Sequence, residues 1–256
     1  MNRYNMKNSN LGKYFLLFFL SIGILSCSKD ADPEPEELTT IDKKQLQTDI
    51  IGKWVVESNS GKTLADLGFI EFLKDSTYIF QDRAQSKTIG KYQVVSGDQI
   101  SLDKSGNITA IKLTGDKLSF KYVLSAQTIS VVAAKTVVTV AGSQTSTLAR
   151  GWMLTSLEDG HIITDNDLGI DRAVVVISSS GTYLGQFTNK GKVVEESLSN
   201  WKWHSTKSDR IVYWETGAQV KEDEDYVIIR ELSATTLKTR EYHDGVEYNY
   251  TWTPLQ

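Results

Sequence analysis

The residues of this chain that could do chemistry are few: one cysteine, Cys27, and three histidines, His161, His204 and His243. A cysteine without a second cannot close an intramolecular disulfide, so its use lies elsewhere. No two histidines stand at metal-ligand spacing, and the chain holds no Gly-x-Ser-x-Gly, phosphate loop or zinc-type cysteine pair. His204, in Trp201-Lys202-Trp203-His204, falls on the strand face opposite Trp203 by period-two alternation, and all three histidines read as surface residues. Asp165, Asp167 and Asp171 bring carboxylates into one stretch, as calcium asks of its oxygen ligands. They lack EF-hand spacing and a closing Glu, and a solvated loop is the simpler reading. Glu222-Asp223-Glu224-Asp225 reads as the exposed tip of a hairpin, where charge also discourages edge pairing. Catalysis would need a histidine converging with a carboxylate in a pocket. The expectation is therefore a protein that is not an enzyme, with no cofactor and no metal.

The setting of Cys27 says more. Residues 1–13 carry Arg3, Lys7 and Lys13 and no acid; an apolar run over Tyr14–Leu25 follows, then Ser26-Cys27. A positive stretch, a short apolar stretch and a small residue before a cut site make a secretory signal. The run is too short for a permanent span, which takes about 20 residues. Ile24-Leu25-Ser26-Cys27 resembles the lipobox of bacterial lipoproteins, with an aliphatic residue at the third position before the cysteine and a small one just before it. The resemblance implies that residues 1–26 are a signal peptide and that Cys27 becomes the lipidated first residue of the mature chain. Acyl chains, palmitate among them, would then anchor it without spanning, each buried methylene adding about 0.8 kcal/mol.

Residues 27–47 read as an acidic tether ending in a short helix near Ile41–Ile50 that lids or plugs a barrel end. Ser28 to Leu38 is too polar to fold, and Pro33 and Pro35 stiffen it. Acid just after a lipidated cysteine also resembles the export signal that some Gram-negative groups use to reach the outer face of the outer membrane. The expected location is the outer membrane, lipid-anchored, at the cell surface; a plain spacer on a periplasm-facing anchor is the alternative.

About 215 residues lie beyond signal and tether, room for one large β domain or two small ones. A net charge of −4 argues against nucleic acid, whose phosphates need a basic face. Six Trp and eleven Tyr suit half-buried strands and barrel interiors, and equally carbohydrate or ligand surfaces. After the tether proline returns only at Pro254, as uninterrupted ladders require. Trp201, Trp203, Tyr213 and Trp214 fall on two adjacent strands, Trp201 and Trp203 on one face, Tyr213 and Trp214 on opposite ones. They are candidate ligand-lining residues; a packed core with cross-strand aromatic pairs is the competing reading.

Self-comparison organises the rest. Ile51–Ser58 matches Ala149–Ser156, pairing Trp54 with Trp152; Ile70–Ile79 matches Val175–Leu184; Lys91-Tyr92 matches Lys202-Trp203; Leu113–Leu118 matches Leu232–Leu237. The offset grows in order, from 98 at Trp54/Trp152 through 105 at Tyr78/Tyr183 and 111 at Tyr92/Trp203 to 119 at Leu113/Leu232. Duplication followed by loop growth produces such a drift. Strands are expected at Phe69–Phe72, Ser76–Phe80, Gln99–Leu102, Ile108–Leu113, Lys117–Val123, Ile129–Val132 and Thr136–Val140, separated by turn residues such as Ser-Gly-Asp and Thr-Gly-Asp.

Gly52-Lys53-Trp54, opening a first strand after a helical lead-in, resembles the Gly-x-Trp signature of lipocalins; the second copy reads Arg150-Gly151-Trp152. The resemblance covers residues 48–145 and 146–256 as two lipocalin-like domains. It implies an all-β protein of two tandem antiparallel up-and-down barrels. Gly52, Trp54, Gly151 and Trp152 would stand at closed barrel ends, with Arg240 packing on Trp152. Two functions follow: barrels that bind a small hydrophobic or glycan ligand at a mouth, or filled barrels serving as an adhesion or docking module for an envelope protein partner.

Overall fold

In a computed structural model, residues 41–59, 67–82, 86–124, 127–157, 169–243 and 245–256 are described. Cys27, the signal, most of the tether, His161, Asp165, Asp167 and the side chain of His243 lie outside them.

Helix α1 (Lys43–Asp49) begins at Asp42, whose carboxylate accepts from the Gln45 N–H at 2.7 Å and so satisfies one of the orphan donors at a helix start. Eight strands follow: β1 (Gly52–Asn59), β2 (Leu67–Phe72), β3 (Thr77–Asp82), β4 (Lys87–Ser96), β5 (Gln99–Leu102), β6 (Gly106–Thr114), β7 (Lys117–Leu124) and β8 (Gln127–Lys135). They pair antiparallel in sequence order, and β8 returns to β1 to close a barrel. A short helix α2 (Thr145–Leu148) leads into β9 (Gly151–Leu157), β10 (Arg172–Ile177), β11 (Thr182–Asn189), β12 (Lys192–Trp203), β13 (Arg210–Trp214), β14 (Tyr226–Leu232), β15 (Leu237–His243) and β16 (Val246–Pro254). These close a second barrel of the same order, β16 against β9. The fold is all-β, two tandem up-and-down barrels. Thr136–Val140, expected as a strand, is instead extended linker. The β1–β8 ladder ends with Lys135 opposite Trp54; past one more bond, from the Thr136 N–H to Lys53 O, the chain leaves β1, and the Val140 N–H donates to Ser179 O of the second barrel.

Each barrel has its own core, drawn from alternate residues of every strand. The first holds Trp54, Ile70, Phe72, Tyr78, Tyr92 and Ile100 with Leu46 and Ile50 of the α1 segment. The second holds Trp152, Val175, Ile177, Trp201, Ile211 and Trp252 with Leu148 of α2. Alternation breaks in β6, where Ile108 and Ile111 both face inward. A bulge lies between Thr109 and Lys112, and Ala110 takes φ +51° there, an extra residue that restores the inward face.

A third cluster joins the barrels: Phe69, Leu73, Ile79 and Ile89 meet Val174, Val176, Leu184 and Leu255. This explains the unbroken apolar run Ala173–Ile177, which is buried on both faces. Strand register shows that the two copies meet through corresponding surfaces. Trp54 lies opposite Ile70 as Trp152 lies opposite Val175, which equates Phe69 with Val174 and Ile79 with Leu184. The Thr136 N–H donates to Lys53 O as the Leu255 N–H donates to Gly151 O. Equivalent faces packed on each other form an isologous-like contact inside one chain.

Register also corrects the sequence alignment in the aromatic strand. Tyr92 Oη donates to Leu73 O at 2.9 Å, and Trp201 Nε1 donates to Ser178 O at 2.7 Å. Trp201, not Trp203, therefore stands at the Tyr92 position, and Trp203 stands where the first barrel has Val94. The repeat slips by two residues here because the β12–β13 connection is longer than the β4–β5 turn.

Candidate functional site

The helix-plugged barrel ends hold the first candidate residues. Trp54 Nε1 donates to Ile50 O at 2.7 Å and Trp152 Nε1 to Leu148 O at 2.9 Å. Each buried indole thus ties its own lead-in helix across the barrel mouth. A cation covers each ring, but from different places. Lys135, at the end of β8, lies 5.0 Å from the Trp54 ring and donates to Asp49 O at 3.1 Å. Gly52 makes room: at φ +129°, a Cβ there would stand 2.9 Å from Lys135 Cε.

In the second barrel Pro254 takes the Lys135 position opposite the tryptophan. Arg150 takes the Gly52 position and brings its guanidinium 5.4 Å from the Trp152 ring. The role expected of Arg240 therefore falls to Arg150. Arg240 alternates with Thr239 and Glu241 to the outer face of β15, where its Nε meets Glu247 Oε1 at 3.0 Å and Asn249 Oδ1 at 3.2 Å. Gly151, the residue before Trp152, faces the other barrel; a Cβ there would stand 2.9 Å from Leu255 and 3.1 Å from Thr77 Oγ1.

The aromatic candidates divide. Trp201 is buried and Trp203 half-buried, their rings edge to face at 5.9 Å; Tyr213 stacks on Tyr183 at 5.4 Å, and all but Trp214 pack into the second core. Burial raises the Tyr183 phenol well above its ordinary range. Tyr183, Tyr250 and Trp252, which sequence reasoning did not single out, complete this interior. The cavity left among Tyr183, Val227, Thr239, Glu241 and Trp252 measures about 10 Å³, the room of one water at most. The interior is filled by its own side chains.

Open space lies instead beside the plugged end of the second barrel. A groove of about 620 Å³ runs between the 141–144 lead-in, the β12–β13 connection and the end of β14. Its wall holds His204, which is not a surface histidine: it is 8 % exposed. His204 Nδ1 accepts N–H bonds from Thr206 at 3.2 Å and Lys207 at 3.3 Å, which places a ring proton on Nε2. That nitrogen has no hydrogen-bond partner; Asp223 Oδ1 stands 3.6 Å away.

The acidic run is a strap rather than a free tip. Glu222 takes bonds from Lys202 and from the Ser205 N–H and hydroxyl, and these hold its carboxyl down at about 2. Asp171 is likewise committed, accepting from the Lys190 N–H at 2.6 Å and from Thr188 Oγ1 at 3.3 Å.

A second concavity of about 620 Å³ lies between the barrels around Lys87, Lys104 and Arg172. Two of its cations are engaged: Lys87 with Glu196 at 3.0 Å, Lys104 with Ile89 O at 2.7 Å. In comparisons with protein families, curated proteins and solved structures, this chain matches none of them.

Proposed function

We propose that this is a lipid-anchored envelope protein whose barrels are filled, non-catalytic scaffolds that bind on their outer surface, at the outer membrane and facing the cell exterior. The observation that carries the scaffold reading is the packed second interior, with room for about one water. A calyx for a hydrophobic ligand needs hundreds of cubic ångströms lined by apolar side chains. The lipobox-like Ile24–Cys27 and the acidic stretch after it support the anchor and its outward face. Anchored filled barrels suit docking to an envelope partner or capture of a small glycan at a mouth better than transport of a buried lipid.

Native mass spectrometry of the protein from its own host tests both parts. The expected mass is that of the chain from Cys27 onward plus covalent acyl groups, with no second lipid retained. A stoichiometric non-covalent lipid would contradict filled barrels, and an unmodified Cys27 would contradict the anchor.

A further inference from the structure

Cations from both barrels face one concavity, and two of them have no counter-charge. The apolar seam between the barrels reaches Ile89 on β4. Next to it the contacts turn polar: Gln186 Nε2 of β11 donates to Lys87 O at 3.3 Å, and Lys87 Nζ meets Glu196 Oε1 of β12 at 3.0 Å. The side chains of that ion pair are largely buried, so bonds that cross from one barrel to the other fix this part of the seam. Beside it lies the concavity of about 620 Å³, walled by β4 and the β5–β6 turn of the first barrel and by β10, β11 and the β11–β12 turn of the second.

The charges on this wall do not cancel. Lys87, Lys104 and Arg172 stand there with a single acid, Asp171. Glu196 meets the Lys87 charge from outside the wall. Asp171 is tied to its own hairpin, accepting from the Lys190 N–H at 2.6 Å and from Thr188 Oγ1 at 3.3 Å. Lys104, on the β5–β6 turn, gives one of its three donors to a neutral carbonyl, Ile89 O at 2.7 Å. That bond positions the ammonium without neutralising it. Among the described residues, the half-buried Arg172 guanidinium has neither a hydrogen bond nor an ion pair. One uncompensated cation from each barrel thus lines the same space. Like charges held so repel each other, and an anion between them turns repulsion into attraction.

We propose that this concavity between the barrels binds a phosphate monoester, its oxygens shared between the Arg172 fork and the remaining donors of Lys104. A guanidinium takes two oxygens of one group side by side, and an ammonium serves a third as a point charge. The charge count selects the dianion. A single carboxylate held by Arg172 would leave Lys104 unmatched, and a neutral ligand would leave both. The space beyond the phosphate is bordered by Thr88, Gln186, Thr188 and Val193, which leaves room for the group that carries the ester. A free sugar phosphate and the headgroup of a phosphatidic acid present the same chemistry. The proposal rests on the reading of the barrels as scaffolds that bind outside. A retained lipid in native mass spectrometry would overturn that reading alone, whereas a failed phosphate titration would overturn this one alone.

The test is isothermal titration of the full chain, purified in an uncharged detergent. The probes are glucose 6-phosphate and dihexanoyl phosphatidic acid below its micelle concentration, with glucose and glucuronate for contrast. At least one of the two monoesters is expected to bind with Kd of about 0.1–1 mM, more weakly as salt is raised. Tighter binding of the first points to a free sugar phosphate as the source, tighter binding of the second to a lipid headgroup. Arg172→Gln and Lys104→Gln should each weaken binding about tenfold. The unfolding temperature of Arg172→Gln should change little, since the guanidinium has no bond to lose. Lys112→Gln, which removes the same charge from an exposed position on β6 outside the concavity, should leave affinity unchanged. The proposal is overturned if neither monoester binds up to about 20 mM, or if glucose or glucuronate binds as tightly. Binding that Arg172→Gln and Lys104→Gln leave unchanged, or that Lys112→Gln weakens equally, overturns it too.

Discussion

The two barrels carry one plan executed with different residues, and the exchanges come in matched sets. Where the first has Gly52 with Lys135, the second has Arg150 with Pro254, and either way one cation covers the plugging tryptophan. Where the first has Lys53 opposite Glu71 on the face between barrels, the second has Gly151 opposite Val176. Duplication kept the backbone contacts, while paired changes redistributed charge and bulk. What must be conserved at a barrel end is therefore the covered ring and the bond to the lead-in helix. Which strand supplies the cation is free to change.

The interface pair offers the sharpest way to break this comparison. Glu71 is fully buried with neither carboxylate oxygen hydrogen-bonded, and its compensation is Lys53 across the strand pair. Lys53 also reaches Thr182 Oγ1 at 3.3 Å. Burial lowers its pKa while Glu71 works to raise it. Lys53→Met alone removes the ammonium whose charge acts with Glu71 across the strands and should cost about 1–3 kcal/mol in denaturant unfolding. Lys53→Met with Glu71→Val, which copies the apolar solution at Val176, should be neutral or stabilising. A double variant as damaged as the single one would mean that the pair is needed for itself.

A smaller effect is expected at the tryptophan lid. Arg150→Ala removes the guanidinium from Trp152 and its bond to Ala234 O at 2.7 Å, a loss of about 1–2 kcal/mol in thermal unfolding. Adding Pro254→Lys should recover part of it if cation placement is interchangeable between the copies. Ala110→Gly, which relieves a left-handed φ at the β6 bulge, should stabilise by about 0.5 kcal/mol.

The acid strap ties the β13–β14 connection to the end of β12 through Lys202 and Ser205, and its pH response sharpens the difference between the two barrels. Glu222 is held near about 2 by Lys202 first and Ser205 next, below its ordinary 4.5. A carboxyl lowered by folding contributes stability that is present above its unfolded value and lost as pH falls through its folded one. Protection of the Ser205 amide, measured as its exchange rate relative to an unstructured amide at the same pH, should hold at neutral pH and fall as the pH drops from about 4.5 to about 2.

Much of this architecture was legible from residue patterns. Short β-branched and aromatic runs, the turn residues and the repeat lead to paired barrels, and the Gly52–Trp54 motif with its lead-in locates a plugged end. What escaped reading depended on pairing across space. A continuous run such as Ala173–Ile177 shows a strand buried on both sides but not what covers it. The two-residue slip that puts Trp201 opposite Tyr92's role leaves no mark in spacing, because both alignments match an aromatic to an aromatic. His204 looked exposed by alternation, yet it lies just past the end of β12, where alternation no longer applies. Arg240 was assigned by resemblance, whereas β15 turns it outward.

The central claim is that the barrels are packed solid and present their chemistry outside. It is tested most directly by titrating the full chain with a fluorescent fatty acid and following energy transfer from its tryptophans. The account predicts no saturable transfer at any probe concentration below micelle formation. Saturable, stoichiometric binding in the low micromolar range, lost on substitution of an interior residue such as Tyr183, would contradict it.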